Sequence, residues 1–490
     1  MTEQKKPPYG IIAILFTGAF VAIFTQTLLN IALPAIMTDL KIEASTAQWL
    51  ITGYMLVNGI LIPASAYFIQ RYSNRSIFIL AMSLFALGTL LAGLAPTFSV
   101  LLAARMVQAS GAALMMPLLM NVILVAFPVE RRGSAMGIFG LVMIVAPAIG
   151  PTLSGFVVEH YSWRVLFFIV LPLALIPLAL GIFKLKNLTS QNKELTLDKT
   201  SLVFSSLGFG GILYGFSAAG QNGWSDPYVL GTISIGVVSL VTFIFRQFKL
   251  KDPLLEFRIY KYPMFALSSA ISIVVSISMF SAMILMPIYV QTIKGISPMN
   301  SGLIMLPGAL VMGFMSPVTG KLFDKYGAKI LAIIGMSIVV ISTYFFSDLS
   351  LDTSYLHIMF LYTIRMLGIS MVMMPIMTNG LNSLPKKVYP HGTAMNNTLQ
   401  QVSGAIGSAL LITVMNTRAT SAGKDLALSG ADPASIMKSS LMEGINYTFF
   451  ISTFIAAVAL LLTLFIKKPQ IPVTEVEKDR VFTQEPVNES

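Results

Sequence analysis

Two arginines, Arg105 and Arg365, lie well inside long apolar runs of this 490-residue sequence. A charge within a membrane-spanning segment costs at least ~2.5–3.5 kcal/mol, so each side chain should face a cavity or a partner rather than lipid. There it could bind an anionic group of a ligand or respond to a protonation nearby. It could equally cap backbone carbonyls and brace neighbouring helices, with Gln108 as the partner of Arg105. The sequence leaves both roles open.

The carboxylates are placed differently, because none of the 21 Asp and Glu residues falls near the middle of an apolar run. Intramembrane carboxylates are the usual proton relays and the usual partners of cationic ligands. Proton coupling is therefore left with three candidates, Glu159, His160 and His357, at the predicted outer ends of the fifth and twelfth runs. Histidine titrates in the useful range, but each of the three could instead be an ordinary interfacial residue.

Other chemistries lack the residues that they need. The sequence has no cysteine, which excludes disulfides and thiolate metal ligands. Its three histidines form no metal-binding motif, and no nucleophile, base and acid are expected in one pocket. We therefore expect no metal site, no cofactor and no enzymatic activity.

The composition indicates a membrane protein. Hydrophobic residues make up 55% of the chain and charged residues 11%, whereas roughly 25% of the residues in a soluble domain are charged. Fourteen apolar runs are close to or above the ~20 residues that cross a bilayer, and they should be helices because backbone groups cannot stay unpaired in hydrocarbon. The runs are 10–36, 47–69, 76–95, 100–126, 135–157, 164–183, 201–219, 229–246, 264–290, 301–322, 329–347, 355–379, 394–415 and 445–466. The predicted fold class is an all-α membrane protein with 14 transmembrane helices.

The basic residues predict the orientation. With a cytoplasmic N-terminus, 24 of the 32 Lys and Arg residues fall on the cytoplasmic side and 6 on the outer side. This bias follows the positive-inside rule, and it accounts for the net charge of +11 without any nucleic-acid partner. An even number of spans puts both termini in the cytoplasm. We expect a multi-pass monomer of the cell membrane whose partners are the lipid bilayer, a small-molecule substrate and protons.

The sequence also contains an internal repeat. Residues 33–75 recur in altered form at 286–329, and further matches follow in the same order. Matched positions include Pro63 with Pro317, Met116 with Met374 and Val145 with Val402. Doubled membrane halves usually hold a binding site where they meet, and rocking one half on the other gives alternating access.

The repeat and the polar linkers predict a domain organisation. Two pseudo-symmetric six-helix bundles, 1–186 and 264–466, are separated by a linker with a two-helix insert, 187–263. A disordered cytoplasmic tail is predicted at 467–490, because that segment is polar and acidic. The longest predicted outer loop, 416–444, is rich in Ser, Ala, Gly and Asp, and we expect it to be mobile.

Several short motifs occur in order on the expected helices. They are Leu28–Pro34, Gln48-Trp49 with Tyr54, Arg105 with Gln108 and Gly111, Gly140 with Gly150-Pro151 and Gly155, and Gly320–Gly327. Together they resemble the motifs of the major facilitator superfamily, in particular its fourteen-helix drug:proton antiporter branch. The resemblance implies two six-helix domains around a central cavity and efflux driven by a cation-motive force.

The sequence departs from the family pattern at two motifs. Thr25 stands where the first-helix motif has an aspartate. In the first loop motif, Ala66, Gln70 and Ser73 replace the usual Gly, Asp and Gly, so that only the second copy keeps its acid, Asp324.

The predicted cavity wall is polar but uncharged apart from the two arginines. Methionine suits promiscuous binding walls, and it also fills ordinary cores; polar side chains in a helix bundle can likewise be interhelical contacts rather than ligand contacts. The candidate substrate-binding residues are Gln26, Asn30, Tyr54, Asn58, Arg105, Gln108, Met116, Tyr289, Gln291, Arg365, Met374, Asn397 and Gln400.

A second group of residues is suited to gating. Pro147 and Pro151 each remove a backbone donor and should bend the fifth helix, while Gly150 and Gly155 allow another helix to approach closely. Asp324 with Lys325 could pair with helix ends as a cytoplasmic latch, or could be a solvated loop charge. Gly320 belongs to the same loop motif as Asp324.

Two transport functions fit these features. The first is proton-coupled export of amphipathic drugs or toxic compounds by alternating access, which the motifs and the methionine-rich interior favour. The second is export of anionic metabolites, signalling nucleotides or lipid-like molecules, which paired arginines without acidic partners favour. A sensor or scaffold that does not transport is a third class, and the intact Gly-Pro motif and loop latch argue against it.

Overall fold

The structure is a computed structural model that describes residues 9–189, 191–428 and 432–467. Fourteen α-helices occur in these residues, joined by short turns, and no strand is found among them. The helices are α1 (Tyr9–Leu40), α2 (Ala44–Arg71), α3 (Asn74–Gly93), α4 (Phe98–Ala126), α5 (Arg132–His160), α6 (Arg164–Lys184), α7 (Lys199–Asn222), α8 (Pro227–Lys249), α9 (Pro263–Ile288), α10 (Pro298–Tyr326), α11 (Ala328–Phe345), α12 (Tyr355–Asn382), α13 (Tyr389–Leu428) and α14 (Pro433–Thr463). Apart from Lys467, the tail predicted at 467–490 lies outside the described residues.

Thirteen of these helices are long and apolar enough to cross a membrane, judged by length and composition within the described residues. The one not counted is α5, in which the side chains of Pro147 and Pro151 lie outside the described residues. The all-helical membrane fold is therefore confirmed, while the count of fourteen spans stays a prediction.

Local sequence sets several helix boundaries. The Ser73 hydroxyl accepts a hydrogen bond from the Ser76 backbone N–H at the start of α3, as expected for an N-cap residue. Asp226 caps α8 in the same way, and Pro227 follows at the first helical position, where a missing N–H costs nothing. Gly327 lies between α10 and α11 with a φ of 80°, a conformation that glycine adopts without strain.

The mobile loop predicted at 416–444 is largely helical in the described residues. The helix α13 continues to Leu428, and α14 begins at Pro433. An exposed ion pair of 2.6 Å joins Arg418 to Glu443, and Gly444 allows close approach to the Met415 carbonyl, which a Cβ would meet at 2.5 Å. The expectation was wrong because it followed hydropathy, whereas small and polar residues extend both helices beyond the apolar runs.

The helices pack as two groups that meet along two seams. Within α1–α6, the helix α4 packs on α2 and α3; within α9–α14, the helix α12 packs on α9, α10 and α11. We call the α5/α10 contact the first seam and the α2/α13 contact the second seam. We call the end of the molecule where α1 begins and α14 ends the terminal face. The opposite end is the distal face. On the terminal face, Tyr9 packs on Phe127 and the Lys467 N–H reaches Met264.

The pair α7 and α8 lies beside the second seam. The helix α7 packs against α8, α2 and α13. Trp224, just after α7, donates a hydrogen bond of 2.6 Å to Thr413, and Tyr214 stacks on Trp49 of α2 at 5.6 Å. At the terminal end of the pair, Arg246 bonds to Asp198, and this guanidinium is the main reason why the pKa of Asp198 falls to about 2.

Candidate substrate cavity and terminal-face contacts

A small cavity of about 20 Å³ lies between α9, α12 and α13. Its wall combines serine hydroxyls, two side-chain amides and several methionines, and it contains no charged residue. The lining residues are Ser272, Val275, Ser276, Met279, Val372, Met373, Ile376, Met377, Asn396 and Gln400. Of the predicted substrate-binding residues, Gln400 lies in this wall. A volume of about 20 Å³ holds about one water molecule, so a larger ligand requires a more open conformation, in which this wall would present apolar surface and neutral hydrogen-bonding groups.

The segments of α4 and α12 that lie nearer the terminal face are buried. Every residue of α4 from 117 to 124 and of α12 from 374 to 382 is buried. Nearer the distal face, Met116 and Met373 are partly exposed. The other predicted methionine, Met374, is buried next to Gly140 at the first seam. Both helices are therefore buried along the half that lies nearer the terminal face.

Arg105 lies inside the first group rather than in the cavity wall. It is 1% exposed, and it donates a hydrogen bond to Gln108, which in turn donates to Thr89 of α3 at 2.7 Å. The guanidinium also lies 4.3 Å from the ring centre of Tyr54 on α2, a cation–π contact. Arg105 thus joins three helices, and its Nε is buried without a hydrogen-bond partner.

Arg365 has a comparable position in the second group. It is fully buried and donates hydrogen bonds to Thr343 of α11, at 3.1 Å, and to the Ser278 carbonyl of α9. Its remaining nitrogen, Nη1, has no partner. Both arginines therefore have the contacts that the bracing alternative requires, and no carboxylate in the described residues is buried beside them.

The other predicted cavity residues are distributed over several regions. Asn58 is buried with its Oδ1 unpaired. The hydroxyl of Tyr289 donates to the Ser350 carbonyl at 2.6 Å near the distal face, where Gln291 also contacts Ser301. Asn397 crosses between the two groups, because its amide bonds to Thr393 and reaches the sulfur of Met120 at 3.1 Å. Gln26 is partly exposed on α1, and the side chain of Asn30 lies outside the described residues.

Asp324 links the two groups at the first seam. Its carboxylate accepts hydrogen bonds from the backbone N–H groups of Gly133 and Ser134, at 2.8 and 2.9 Å, and from the Ser134 hydroxyl. A carboxylate at the first turn of a helix also interacts favourably with the helix dipole. Lys325 is exposed and lies 5.1 Å from the ring centre of its neighbour Tyr326.

Glycines bring the helices of the first seam into close contact. A Cβ at Gly320 would overlap the Gly133 carbonyl, and one at Gly137 would lie 2.6 Å from the Ser316 carbonyl. Of the predicted gating glycines in α5, Gly150 packs closely against Thr27 of α1, whereas a Cβ at Gly155 would meet no atom within 4 Å.

Two terminal-face contacts were missed by sequence reasoning. Arg132 is 2% exposed and crosses from α5 to Asn382 and Tyr389, at 2.8 and 3.0 Å. His391, at the start of α13, is buried and contacts Gln70 of α2 at 2.9 Å. No local signal marks either residue: Arg132 adjoins a second arginine between two apolar runs, and His391 precedes the apolar run 394–415.

The proton-coupling candidates lie at the distal ends of their helices. Glu159 and His160 are exposed at the end of α5, and the His160 ring contacts the Phe156 carbonyl at 2.9 Å. His357 is exposed in the first turn of α12. Their role in coupling stays a prediction.

The model of the family described as Major Facilitator Superfamily matches residues 15–408. Over 88% of this chain and 81% of its own length, the relative named "Uncharacterized MFS-type transporter YhcA" from Bacillus subtilis is 48% identical. "Lincomycin resistance protein LmrB" from the same organism is 44% identical over 96% of this chain and 98% of its own. "Multidrug transporter protein MdtP", also from B. subtilis, is 30% identical over 83% of this chain and 75% of its own.

The fold matches solved structures at low sequence identity. The human organic anion transporter MFSD10 (TETRAN) superposes with a TM-score of 0.63 at 12% identity, over 92% of this chain and 100% of the other. At this identity the match speaks for the fold alone.

Proposed function

Because this chain belongs to the major facilitator superfamily and is a transporter rather than an enzyme, we propose that it exports amphipathic drugs or toxic compounds in exchange for protons. The names of two relatives, which refer to lincomycin resistance and to multidrug transport, support drugs as the substrate class. The proposal includes the fourteen-helix organisation, with bundles at 1–186 and 264–466 and an insert within 187–263. It also places both termini, and hence the terminal face, in the cytoplasm.

The uncharged wall of the cavity is the observation that carries the proposal. Methionines such as Met279 and Met377 can adapt to apolar ligands of different shapes. The amides of Asn396 and Gln400, with two serine hydroxyls, can bond to neutral polar groups. An amphipathic molecule presents both kinds of surface.

The alternative, export of anionic metabolites, signalling nucleotides or lipid-like molecules, would need a positive group in the cavity. Arg105 and Arg365 would have to leave Gln108, Thr343 and Ser278 and turn towards the centre. Removing buried charge-assisted hydrogen bonds costs about 1.5–3 kcal/mol each, so the drug-export function is the better supported of the two.

Transport assays in proteoliposomes test the proposal. Vesicles are loaded with a cationic amphipathic dye or with an anionic probe, and an inward proton gradient is imposed. We expect the gradient to accelerate release of the cationic dye, an ionophore to abolish the acceleration, and Gln400→Ala to slow it. Met283→Ala, at a position that is 53% exposed on α9, is the matched control and should behave like the parent.

Arg105→Ala distinguishes the two substrate classes. The Arg105→Ala variant should still export the cationic dye faster than the anionic probe. If only the anion moves, and Arg105→Ala abolishes that movement, the anion exporter is correct and the drug exporter is not.

A further inference from the structure

The two seams carry latches at matching positions of the internal repeat. Asp324 at the end of α10 matches Gln70 at the end of α2, with the offset of 254 residues that relates Pro317 to Pro63. Each side chain reaches the start of a helix in the other group: Asp324 contacts α5, and Gln70 contacts α13.

The helix starts that receive these side chains also match. Gly133 and Ser134 of α5 correspond to Pro390 and His391 of α13, with the offset of 257 residues that relates Val145 to Val402. Pro390 has no N–H to offer, so the second seam lacks the backbone donor that Gly133 supplies at the first. At the second seam, the Gln70 amide thus takes the place of the Asp324 carboxylate. The His391 imidazole takes the place of the N-terminus of α5.

The His391 ring is held at both nitrogens. Its Nδ1 accepts a hydrogen bond from the Glu256 backbone N–H at 3.3 Å, and its Nε2 lies 2.9 Å from the Gln70 amide. A backbone N–H cannot become an acceptor, so Nδ1 must be the unprotonated nitrogen and the ring proton must be on Nε2. The Gln70 amide can present its oxygen to that proton only by giving up the hydrogen bond of 3.1 Å that its Nε2 donates to the Ala66 carbonyl. A neutral imidazole therefore keeps the hydrogen bond from residue 256.

An imidazolium does not fit the same contacts. It would carry a second N–H on Nδ1, directed at the N–H of Glu256, and two donors cannot bond to each other. His391 is 6% exposed, so water has little access to relieve the conflict. A protonated His391 is satisfied only when the α2/α13 contact or the contact with residue 256 separates.

The charged groups around the ring have other partners. The Glu256 carboxylate is turned to Arg258, at 3.5 Å. Arg71, the neighbour of Gln70, donates to the Leu195 carbonyl at 2.8 Å. On the α13 side, Tyr389 bonds to Arg132, and Lys386 and Lys387 precede it as basic residues. In the part of the chain that the structure describes, no carboxylate pairs with the His391 ring.

We propose that His391 and Gln70 form a proton-sensitive latch at the second seam, so that acid on the terminal side favours opening of the terminal face. The proposal rests on the proposed function in one respect, because such opening is a step of alternating access. His391 acts here as a positioning residue, which regulates the conformational step without contacting substrate. On the first seam, Asp324 and the first turn of α5 form the corresponding latch, which contains no imidazole.

Distance measurements on the full chain in lipid nanodiscs test this latch. The sequence has no cysteine, so labels on Lys184→Cys and Lys329→Cys report only these two positions. Both residues are exposed on the terminal face, at the end of α6 and near the start of α11. We expect the population with the longer distance to grow as the pH falls from about 8 to about 5.5, by at most about tenfold per pH unit for one proton.

Substitution of His391 should remove this response. In His391→Gln, the new amide can accept from residue 256 and bond to Gln70, but it cannot take up a proton in this range. The matched control is Glu194→Gln, which removes an exposed titratable group between α6 and α7 and should retain the parent response. A parent that does not open with acid, or a His391→Gln variant that opens as the parent does, overturns the proposal.

A second variant changes the response without removing the histidine. In Gln70→Glu, a carboxylate of the same length beside the ring would stabilise the imidazolium, so acid should open the terminal face less than in the parent. If Gln70→Glu opens with acid like the parent, the latch is not at this pair.

These measurements need neither substrate nor a proton gradient. A protein that opens with acid but exports no dye refutes the proposed function and leaves the latch intact. If the protein exports dye but shows no pH-dependent opening, only the latch is refuted.

Discussion

Arg132 and Tyr389 occupy matching positions of the internal repeat and contact each other across the terminal face. The guanidinium donates a hydrogen bond of 3.0 Å to the Tyr389 hydroxyl and lies 5.1 Å from the centre of its ring. In a two-fold arrangement, matching positions contact each other only at the axis. The pseudo-symmetry axis of the two groups therefore passes between the starts of α5 and α13, and a buried cation closes the terminal face at that point.

Arg132→Ala should destabilise the closed terminal face. The arginine also donates to Asn382 and to the carbonyls of Phe127 and Leu124, and hydrogen bonds from a charged group contribute about 1.5–3 kcal/mol each. We expect the free energy of unfolding to fall by at least about 2 kcal/mol and the labelled distance across the terminal face to lengthen. Thermal unfolding in detergent and the distance measurement check these effects.

The neighbouring Arg131 provides the control for this prediction. It is exposed, so Arg131→Ala should change the stability by no more than about 0.5 kcal/mol. Equal effects of the two substitutions would show that the buried contacts of Arg132 do not hold the face closed.

Replacement of Arg365 should affect stability rather than substrate recognition. Arg365→Lys keeps the charge, but an ammonium cannot reach Thr343 of α11 and Ser278 of α9 together as the planar guanidinium does. We expect a loss of about 1–3 kcal/mol in the free energy of unfolding, while the affinity for a cationic dye changes less than about twofold. Thermal unfolding and equilibrium dye binding measure the two quantities. A loss of dye affinity with unchanged stability would instead place Arg365 at the substrate.

The sequence predicted the arginines of the membrane interior better than those of the terminal face. A charge in an apolar run, such as Arg105 or Arg365, stands out without any knowledge of the fold. Nothing local separates Arg132, which is buried, from Arg131, which is exposed, because the difference arises from packing against residues far along the chain, such as Asn382.

Dependence on long-range packing also decided which residues of the candidate site could be predicted. Composition and the repeat indicated the helical membrane fold, and a motif identified Asp324. The cavity wall includes Ser272, Ser276 and Asn396, which were not predicted. Serine and asparagine occur on many helix faces, so only the packing of α9, α12 and α13 shows which of them share a cavity.

The Asp198–Arg246 pair should make stability dependent on pH in the acid range. The arginine holds the pKa of Asp198 near 2 in the folded protein, below the value of about 3.9 in an unfolded chain. Since the folded value is lowered, the stabilisation is complete above about pH 4 and is lost as the pH falls towards 2. The melting temperatures of the parent and Asp198→Asn should therefore differ at neutral pH and converge in acid.

Asp252→Asn is the matched control for this pair, because Asp252 is an exposed acid that follows α8. Its melting temperature should track that of the parent at every pH. A difference between the parent and Asp198→Asn that persists unchanged down to about pH 2 would contradict an origin in the ionised carboxylate.

Gly320→Ala should prevent full closure of the first seam. A methyl group at Gly320 would overlap the Gly133 carbonyl of α5, and the obstacle is backbone, which cannot rotate away as a side chain does. Overpacking of this kind costs about 1–3 kcal/mol, enough to change the ratio of closed to open molecules by about tenfold or more.

The labelled pair at positions 184 and 329 should report a longer distance at neutral pH, and dye export should slow because each cycle requires closure. Gly302→Ala adds the same methyl group to α10 where no atom lies within 4 Å, and it should leave both readouts unchanged. If Gly320→Ala closes as the parent does, the two helices tolerate a wider separation, and closure depends on the Asp324 and Arg132 contacts rather than on the glycine packing of α5 against α10.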